Sequence, residues 1–433
     1  MLIWIFALLL FLILVTGAPV LLALGSAGLF GIMLTDDLVN TLFAQKIFTM
    51  IDSYSLLAMP FFILAGSLMS CGGISKGLVE FAEACVGHLR GGLGHSAVIS
   101  SMIFAGVSGS SVADTTAVGS ILIPAMKSKG YKAGFAASLV AASGTIGPII
   151  PPSMTMIVYG SMAGVSIGGL FLSGVIPGIL MGVGLMLTIF LHSRMAGYPE
   201  LRETGGKFNL WFMIKSIRKV WVALLAPVII LGGILGGIFT ATEAGVVTVF
   251  YAFLAGFFVY RNLKLSDMPK VLLDAAITTT STVGIISMAG AIGWLLAYLD
   301  FNDVVLTFIQ GFSTNGTVVL LVLLLVMLIL TMFIESLAVL VILVPVCVYV
   351  AAQYGFNAYH FGLLMVLAAQ IGAVTPPVAV LLFVATSIAD TTYDQTIKYC
   401  LPFILTLIAV LVLVVFVPGL ASWIPNYFLG VPS

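Results

Sequence analysis

The chain has 433 residues, of which 61% are hydrophobic and only 7% charged, with sixteen basic residues against sixteen acidic ones. A soluble domain carries about a quarter of its residues charged, so this composition cannot clothe a water-facing surface, and the even balance argues against a nucleic-acid partner. The apolar segments are of helical length without long β-alternation, which leaves an all-α polytopic membrane protein and excludes a barrel.

Apolar runs long enough to cross a bilayer fall at 1–16, 20–35, 55–71, 133–164, 170–193, 221–239, 244–260, 271–299, 358–386 and 401–417. The first, "MLIWIFALLL", lacks a basic leader and a small-residue cleavage site and reads as a retained span. Only Gly17-Ala18-Pro19 separates it from the second, so one long bent helix is the alternative. Two further blocks, 92–126 and 316–352, exceed one crossing and are broken midway by polar residues. They predict hairpins that enter and leave on the same side. Arg90 precedes the first, and Lys127, Lys129 and Lys132 follow it, which sets both its ends in the cytoplasm. The basic loops 194–219 and 261–270 lie on that side too, and the crossings between them turn near Glu243, which reads as a helix cap. No Lys or Arg occurs from 271 to 397, so the second hairpin opens on the outside. Asp390 and Asp394 are expected near the inner surface, solvated or capping. "GGILGG" (232–237) reads as a helix-packing face.

Spacing supports a duplication. Asp114 precedes Pro124 by ten residues, as Glu335 precedes Pro345; "GPIIPP" (147–152) matches "GAVTPP" (372–377); and Pro152 to Pro177 repeats the spacing of Pro377 to Pro402. With opposite topology, this is an inverted repeat. The halves divide into scaffold helices (1–90), a first hairpin, broken helix and closing helix (91–200), a cytoplasmic connector (201–220), further scaffold helices (221–312) and a second hairpin, broken helix and closing helix (313–433).

Proline lacks an N–H, so the carbonyl four residues earlier loses its helical partner. Pro148 frees Gly144, Pro151 and Pro152 free Gly147 and Pro148, and Pro376 and Pro377 free Gly372 and Ala373. Carbonyls freed at membrane depth are costly unless they line a cavity or coordinate something. With the hydroxyls of Ser143, Thr145 and Thr375 they form a hard-oxygen set suited to an alkali cation. The hairpin tips, Ser108, Gly109, Ser110 and Ser111 in one half and Glu335 with Ser336 in the other, are expected opposite the broken helices, each opening a half-helix whose N–H groups favour an anion. Asp114 is an intramembrane acid and a candidate member of this site. Such a site couples at least two sodium ions to an organic acid. No arginine falls in the breaks, so the acid rests on main-chain amides and hydroxyls around Ser111, Thr145, Pro148 and Pro376. The plain alternative is that these residues are packing contacts and kinks and that Asp114 and Glu335 are structural acids. The scattered Cys71, Cys85, Cys347 and Cys400 and the four histidines offer no transition-metal set.

"SLLAMPFFILAG" (55–66), "GVSGSSVADTTAVGSILIPAM" (106–126), "SGTIGPIIPPS" (143–153), "LFLSGVIPGIL" (170–180), "GIFTATEAG" (237–245) and "IGAVTPP" (371–377) resemble, in order, the large membrane (DctM-type) subunit of the TRAP, or tripartite ATP-independent periplasmic, transporters. The resemblance implies an elevator-type carrier of the ion transporter superfamily in the bacterial inner membrane, working with a small four-helix membrane subunit and a periplasmic substrate-binding protein. It implies cargo such as sialic acid, another sugar acid or a C4-dicarboxylate. It also implies sodium sites at Ser108, Gly109, Ser110, Gly144 and Gly147, and at Glu335, Gly372 and Thr375. Glu335 departs from the Asp of many relatives, which weakens the carry-over at the second site. Two other readings stand beside it. One is a stand-alone sodium- or proton-coupled dicarboxylate carrier. The other is an intramembrane serine protease with Ser108, in "GVSG", as nucleophile, which requires a histidine base.

Overall fold

The computed structural model describes Ile13 and residues 18–33, 37–195, 199–201 and 208–430. The expected first span at 1–16, its Gly17 junction and connector residues 202–207 lie, Ile13 apart, outside the described residues.

Every described element is helical. In chain order they are α1 (Val20–Met33), α2 (Asp37–Ile51), α3 (Ala58–Cys71), α4 (Ile74–Val86), α5 (Gly92–Ser108), α6 (Ser111–Ser128), α7 (Ala133–Gly144), α8 (Met154–Ala163), α9 (Ile167–Arg194), α10 (Leu210–Leu235), α11 (Ala241–Leu254), α12 (Met268–Tyr298), α13 (Phe301–Phe312), α14 (Gly316–Thr331), α15 (Ser336–Gln353), α16 (Ala358–Gly372), α17 (Val380–Ala389), α18 (Tyr393–Phe416) and α19 (Gly419–Leu429). Six are long and apolar enough to cross a membrane. The pair α3 and α4, bent by 72°, makes a seventh if counted as one. The chain is a multi-pass membrane protein.

Polar residues start these helices because an apolar segment must still satisfy its first N–H groups. Ser153 accepts from Met156 N (3.1 Å) ahead of α8, Ser166 from Gly169 N (3.3 Å) ahead of α9, and Asn357 from both Tyr359 N and His360 N (3.1 Å) ahead of α16. Glu243 is a cap, as its sequence context predicts. Thr240 Oγ1 accepts from Glu243 N (3.2 Å), and Glu243 Oε2 accepts from Thr240 N (2.8 Å), closing a capping box on α11. Thr240→Ala is expected to cost about 1 kcal/mol, seen as a lower melting temperature in detergent with uptake retained.

Four consecutive helices recur. α6 and α15 have 18 residues each and begin 225 residues apart, at 111 and 336; α7 and α16 begin at 133 and 358, α8 and α17 at 154 and 380, and α9 and α18 at 167 and 393. A cis peptide bond lies at Pro151-Pro152 and another at Pro376-Pro377. This register corrects one expected pairing. Glu335 is the N-cap of α15, and the residue capping α6 is Ser110, so Asp114 stands one turn deeper than Glu335. Their shared ten-residue distance to a proline is a coincidence of spacing.

α7 from Gly134 and α16 from His360 are buried to their last residue, making them the centre of the molecule. α7 packs on α6, α17 and α18, and α16 on α14, α15 and α9, so each central helix touches elements of both halves. Around them α3 packs on α11, α4 on α10, and α1 and α2 on α12. The outer helices turn side chains such as Phe250, Leu273, Ile277 and Phe416 outward, the arrangement of a lipid-facing surface.

Several expectations change. The runs 133–164 and 358–386 each divide into two helices, in keeping with the predicted breaks. α2, α4, α13 and α19 fall outside the predicted spans, because each is too short or too polar on one face to register as a crossing. In "GGILGG" Gly233 is buried and packed against Phe239, but the other glycines do not form a helix-packing face. Gly232 and Gly237 have open space where a side chain would go, Gly236 caps α10, and Gly237 takes φ +65°, so these glycines end the helix. Asp390, also at positive φ, caps α17, and Asp394 lies exposed in the first turn of α18.

Candidate functional site

The first hairpin tip rests on the first helix break. α5 ends at Ser108, Gly109 turns at φ +62°, and Ser110 caps α6 by accepting from Ala113 N. Met154 N, opening α8, donates to Gly109 O (3.4 Å). Behind that seam the polar cluster of 108–116 faces the break. Ser108 Oγ donates to Asp114 Oδ1 through a short hydrogen bond and accepts from Ser110 N (3.2 Å). Asp114, Thr115, Ser143 and Thr145 have no solvent exposure. The second carboxylate oxygen, Asp114 Oδ2, and the hydroxyl of Thr115 have no hydrogen-bond partner. Each faces one of the glycines of the break. A side chain at Gly147 would meet Asp114 Oδ2 at 2.5 Å, and one at Gly144 would run into Thr115 Oγ1 and Ser111 O. Glycine is required at both positions because the oxygens come that close.

A buried carboxylate oxygen and a buried hydroxyl left without partners are costly. In the break itself Ser143 Oγ spends its proton on Leu139 O (2.8 Å) and Thr145 Oγ1 on Ala142 O (2.6 Å), so each hydroxyl has only acceptor capacity left.

The freed carbonyls need a correction. Gly144 O accepts from Gly147 N (3.1 Å) and Gly372 O from Thr375 N (2.9 Å), both through tight i→i+3 turns. Ala373 O accepts from Leu381 N (3.2 Å), and Pro148 O from Ser153 Oγ (2.5 Å). The backbone re-pairs after each proline, and these oxygens keep one lone pair, not two. Among the described residues nothing donates to Gly147 O, and the α-carbon of Gly147 lies against the carboxylate of Asp114.

The second tip and break meet in a similar way: Val378 N and Ala379 N donate to Met332 O (3.2 and 3.4 Å). A side chain at Gly372 would collide with Thr331 Oγ1, whose proton goes to Met327 O (2.8 Å) or Leu328 O (3.0 Å). Thr375 Oγ1 gives its proton to Ile371 O (2.6 Å). Glu335 is used differently from Asp114. Its side chain is exposed, and Oε2 accepts from Ala338 N (2.9 Å) as the cap of α15. Ser336 Oγ lies between Glu335 Oε1 and Gln370 Nε2, 3.4 Å from each. Gln370 is buried, and its Oε1 has no partner.

Contacts across the first seam thus join Gly109, Ser111, Asp114 and Thr115 to Gly144, Gly147, Pro152 and Met154, and those across the second join Thr331, Met332 and Ser336 to Gln370, Gly372, Val378 and Ala379, while Glu335 bonds only within the start of its own helix. Thr115, Thr331 and Gln370 were missed. Thr115 was visible as part of the hydroxyl cluster, whereas Thr331 and Gln370 sit in unbroken apolar sequence with no local signal. Among the described residues no histidine bonds Ser108: its Oγ bonds Asp114, while ring nitrogens of His95, His192 and His360 go to the backbone carbonyls of Arg90, Thr188 and Val414. No group of three or more metal-ligating side chains occurs among the described residues.

Comparison with known proteins agrees with this architecture. Residues 7–420 match the family model described as tripartite ATP-independent periplasmic transporter, DctM component. The C4-dicarboxylate TRAP transporter large permease protein DctM of Pseudomonas aeruginosa is 39% identical over 406 residues, 94% of each chain. The sialic acid TRAP transporter large permease protein SiaM of Vibrio cholerae is 37% identical over 96% of this chain and 97% of its own. The 2,3-diketo-L-gulonate TRAP transporter large permease protein YiaN of Escherichia coli is 36% identical over 93% and 94%. With an apolar helical body, two hairpin tips seated on two proline breaks and a match along almost its whole length, the chain belongs to the DctM-component family of the tripartite ATP-independent periplasmic transporters.

Proposed function

We propose that this chain is the large permease of a sodium-coupled importer of an organic acid in the bacterial inner membrane. The observation that carries the reading is the buried, unpartnered oxygen of Asp114 facing Gly147. Sodium is the cation that suits such hard oxygens, and it moves with the cargo as a coupling ion. The first sodium site takes Ser108, Gly109, Ser110, Asp114, Ser143, Gly144 and Gly147, with Thr115 added. The second takes Glu335, Ser336, Gly372, Ala373 and Thr375, with Thr331 and Gln370 supplying the oxygens that Glu335 commits to its helix.

The acid lies between the two seams, against Ser111, Thr145, Pro148 and Pro376, where the N-termini of α6 and α15 favour a carboxylate. Sugar acids such as sialic acid, and C4-dicarboxylates, fit this recognition, and relatives named for three different acids are almost equally similar. A periplasmic binding protein delivers the acid, and a separate small membrane subunit packs on the scaffold formed by α1–α4 and α10–α13. The two hairpins point in opposite directions as re-entrant loops of an inverted repeat. Hairpins, broken helices and closing helices slide together past the scaffold as an elevator.

Reconstitution tests this. In proteoliposomes holding both membrane subunits, uptake is expected to need an inward sodium gradient and the cognate binding protein. Ser108→Leu is expected to lower it by at least about tenfold, roughly 1.4 kcal/mol, with the protein still folded in the membrane. Uptake by the large chain alone would support the stand-alone carrier instead, and uptake indifferent to sodium would refute the coupling.

A further inference from the structure

We propose that the N-terminal end of α10 holds the headgroup phosphate of an anionic phospholipid. Trp211, Ile214, Lys215 and Arg218 line an open cavity of ≈ 180 Å³ there. Their spacing of three and four places them along one face of the helix. The lining contains two cations, an indole N–H donor and no acid. The neighbouring Lys219 is engaged elsewhere, 2.7 Å from Glu80 of α4, in the one salt bridge among the described residues. Among the described residues, Lys215 and Arg218 thus present their charges to the cavity without an acidic partner.

The position on the helix selects a lipid. From Val220 to Leu235 α10 carries no charged residue, while Trp221, Leu225 and Val228 are exposed. The basic cluster therefore sits one turn above the apolar stripe, at the level of a headgroup over its acyl chains. An Arg fork and a Lys ammonium bind phosphate oxygens, and Trp belongs at this boundary because its ring is apolar and its N–H wet. Basic residues at the membrane face draw anionic lipids in preference to zwitterionic ones.

The test is native mass spectrometry of the complex with its small subunit, titrated with phosphatidylglycerol, phosphatidylcholine or inorganic phosphate. The wild type is expected to take up phosphatidylglycerol selectively, without displacement by free phosphate. Lys215→Gln with Arg218→Gln, both exposed positions, is expected to weaken that binding about tenfold or more, leaving phosphatidylcholine binding as it was. Arg261→Gln with Lys264→Gln, an equal charge change elsewhere at two exposed positions, is expected to change nothing, and the charge-preserving pair Lys215→Arg with Arg218→Lys to retain selectivity. Equal binding of both lipids by the wild type, displacement by inorganic phosphate, or an unaltered double variant would overturn the proposal. So would loss of the small subunit from the double variant with lipid binding intact, which would make this face a protein contact.

Discussion

Gly109→Ala is expected to reduce sodium-driven uptake by at least about tenfold without loss of the folded protein. Gly109 has φ +62°, where a side chain costs about 1–2 kcal/mol, but that strain is the smaller effect. The added carbon would lie 2.5 Å from Pro152 O, 3.2 Å from Pro152 C and 3.3 Å from Met154 N, all main-chain atoms of the break. A methyl group there pries the hairpin tip off the broken helix and opens the seam where the proposed ligands meet. Gly130→Ala separates the two effects, because Gly130 has φ +84° with nothing within 4 Å. That variant is expected to transport normally. Uptake assayed beside membrane expression and melting temperature checks both, and a fully active Gly109→Ala protein would show that the seam is not where coupling occurs.

Asp114→Asn is expected to raise the sodium concentration for half-maximal uptake about tenfold or more, since a ligand's formal charge is lost and each tenfold in affinity is about 1.4 kcal/mol. Asparagine has the same shape and can still accept from Ser108 Oγ, so the fold and the tip hydrogen bond survive. What changes is the oxygen facing Gly147, whose negative charge is removed. Sodium titration of uptake, with the melting temperature as control, is the measurement. An unchanged sodium dependence would return Asp114 to the role of a buried structural acid held by Ser108.

Much of this was legible in the residues because membrane depth makes polarity conspicuous. Ser108, Ser110, Ser111 and Asp114 stand out against an apolar background, and paired prolines announce where a helix cannot continue. The match of Gly147 to Gly372 and of Pro152 to Pro377 carried the correct register of 225 residues. Asp114 and Glu335 misled because both are acids ten residues before a proline, while the relevant equivalence is the N-cap, where Ser110 and Glu335 do the same work with different side chains. The fate of the freed carbonyls was hidden too: proline predicts which hydrogen bond is lost, but only the turn geometry shows that Gly147 N and Thr375 N replace it. Thr331 and Gln370 were invisible because their importance comes from packing against Gly372 and Ser336, contacts between helices that no local pattern encodes.

The most direct test of the account is the melting temperature of the purified protein in sodium set against choline at constant ionic strength. A ligand that binds only the folded form stabilises it by RT ln(1 + [L]/Kd), so the two-seam arrangement predicts a sodium-specific rise that saturates. Gly147→Ala and Gly372→Ala, which block one seam each, should each remove part of that rise, and the double variant all of it. Equal melting temperatures in sodium and choline, or a sodium shift that survives in the double variant, would contradict it.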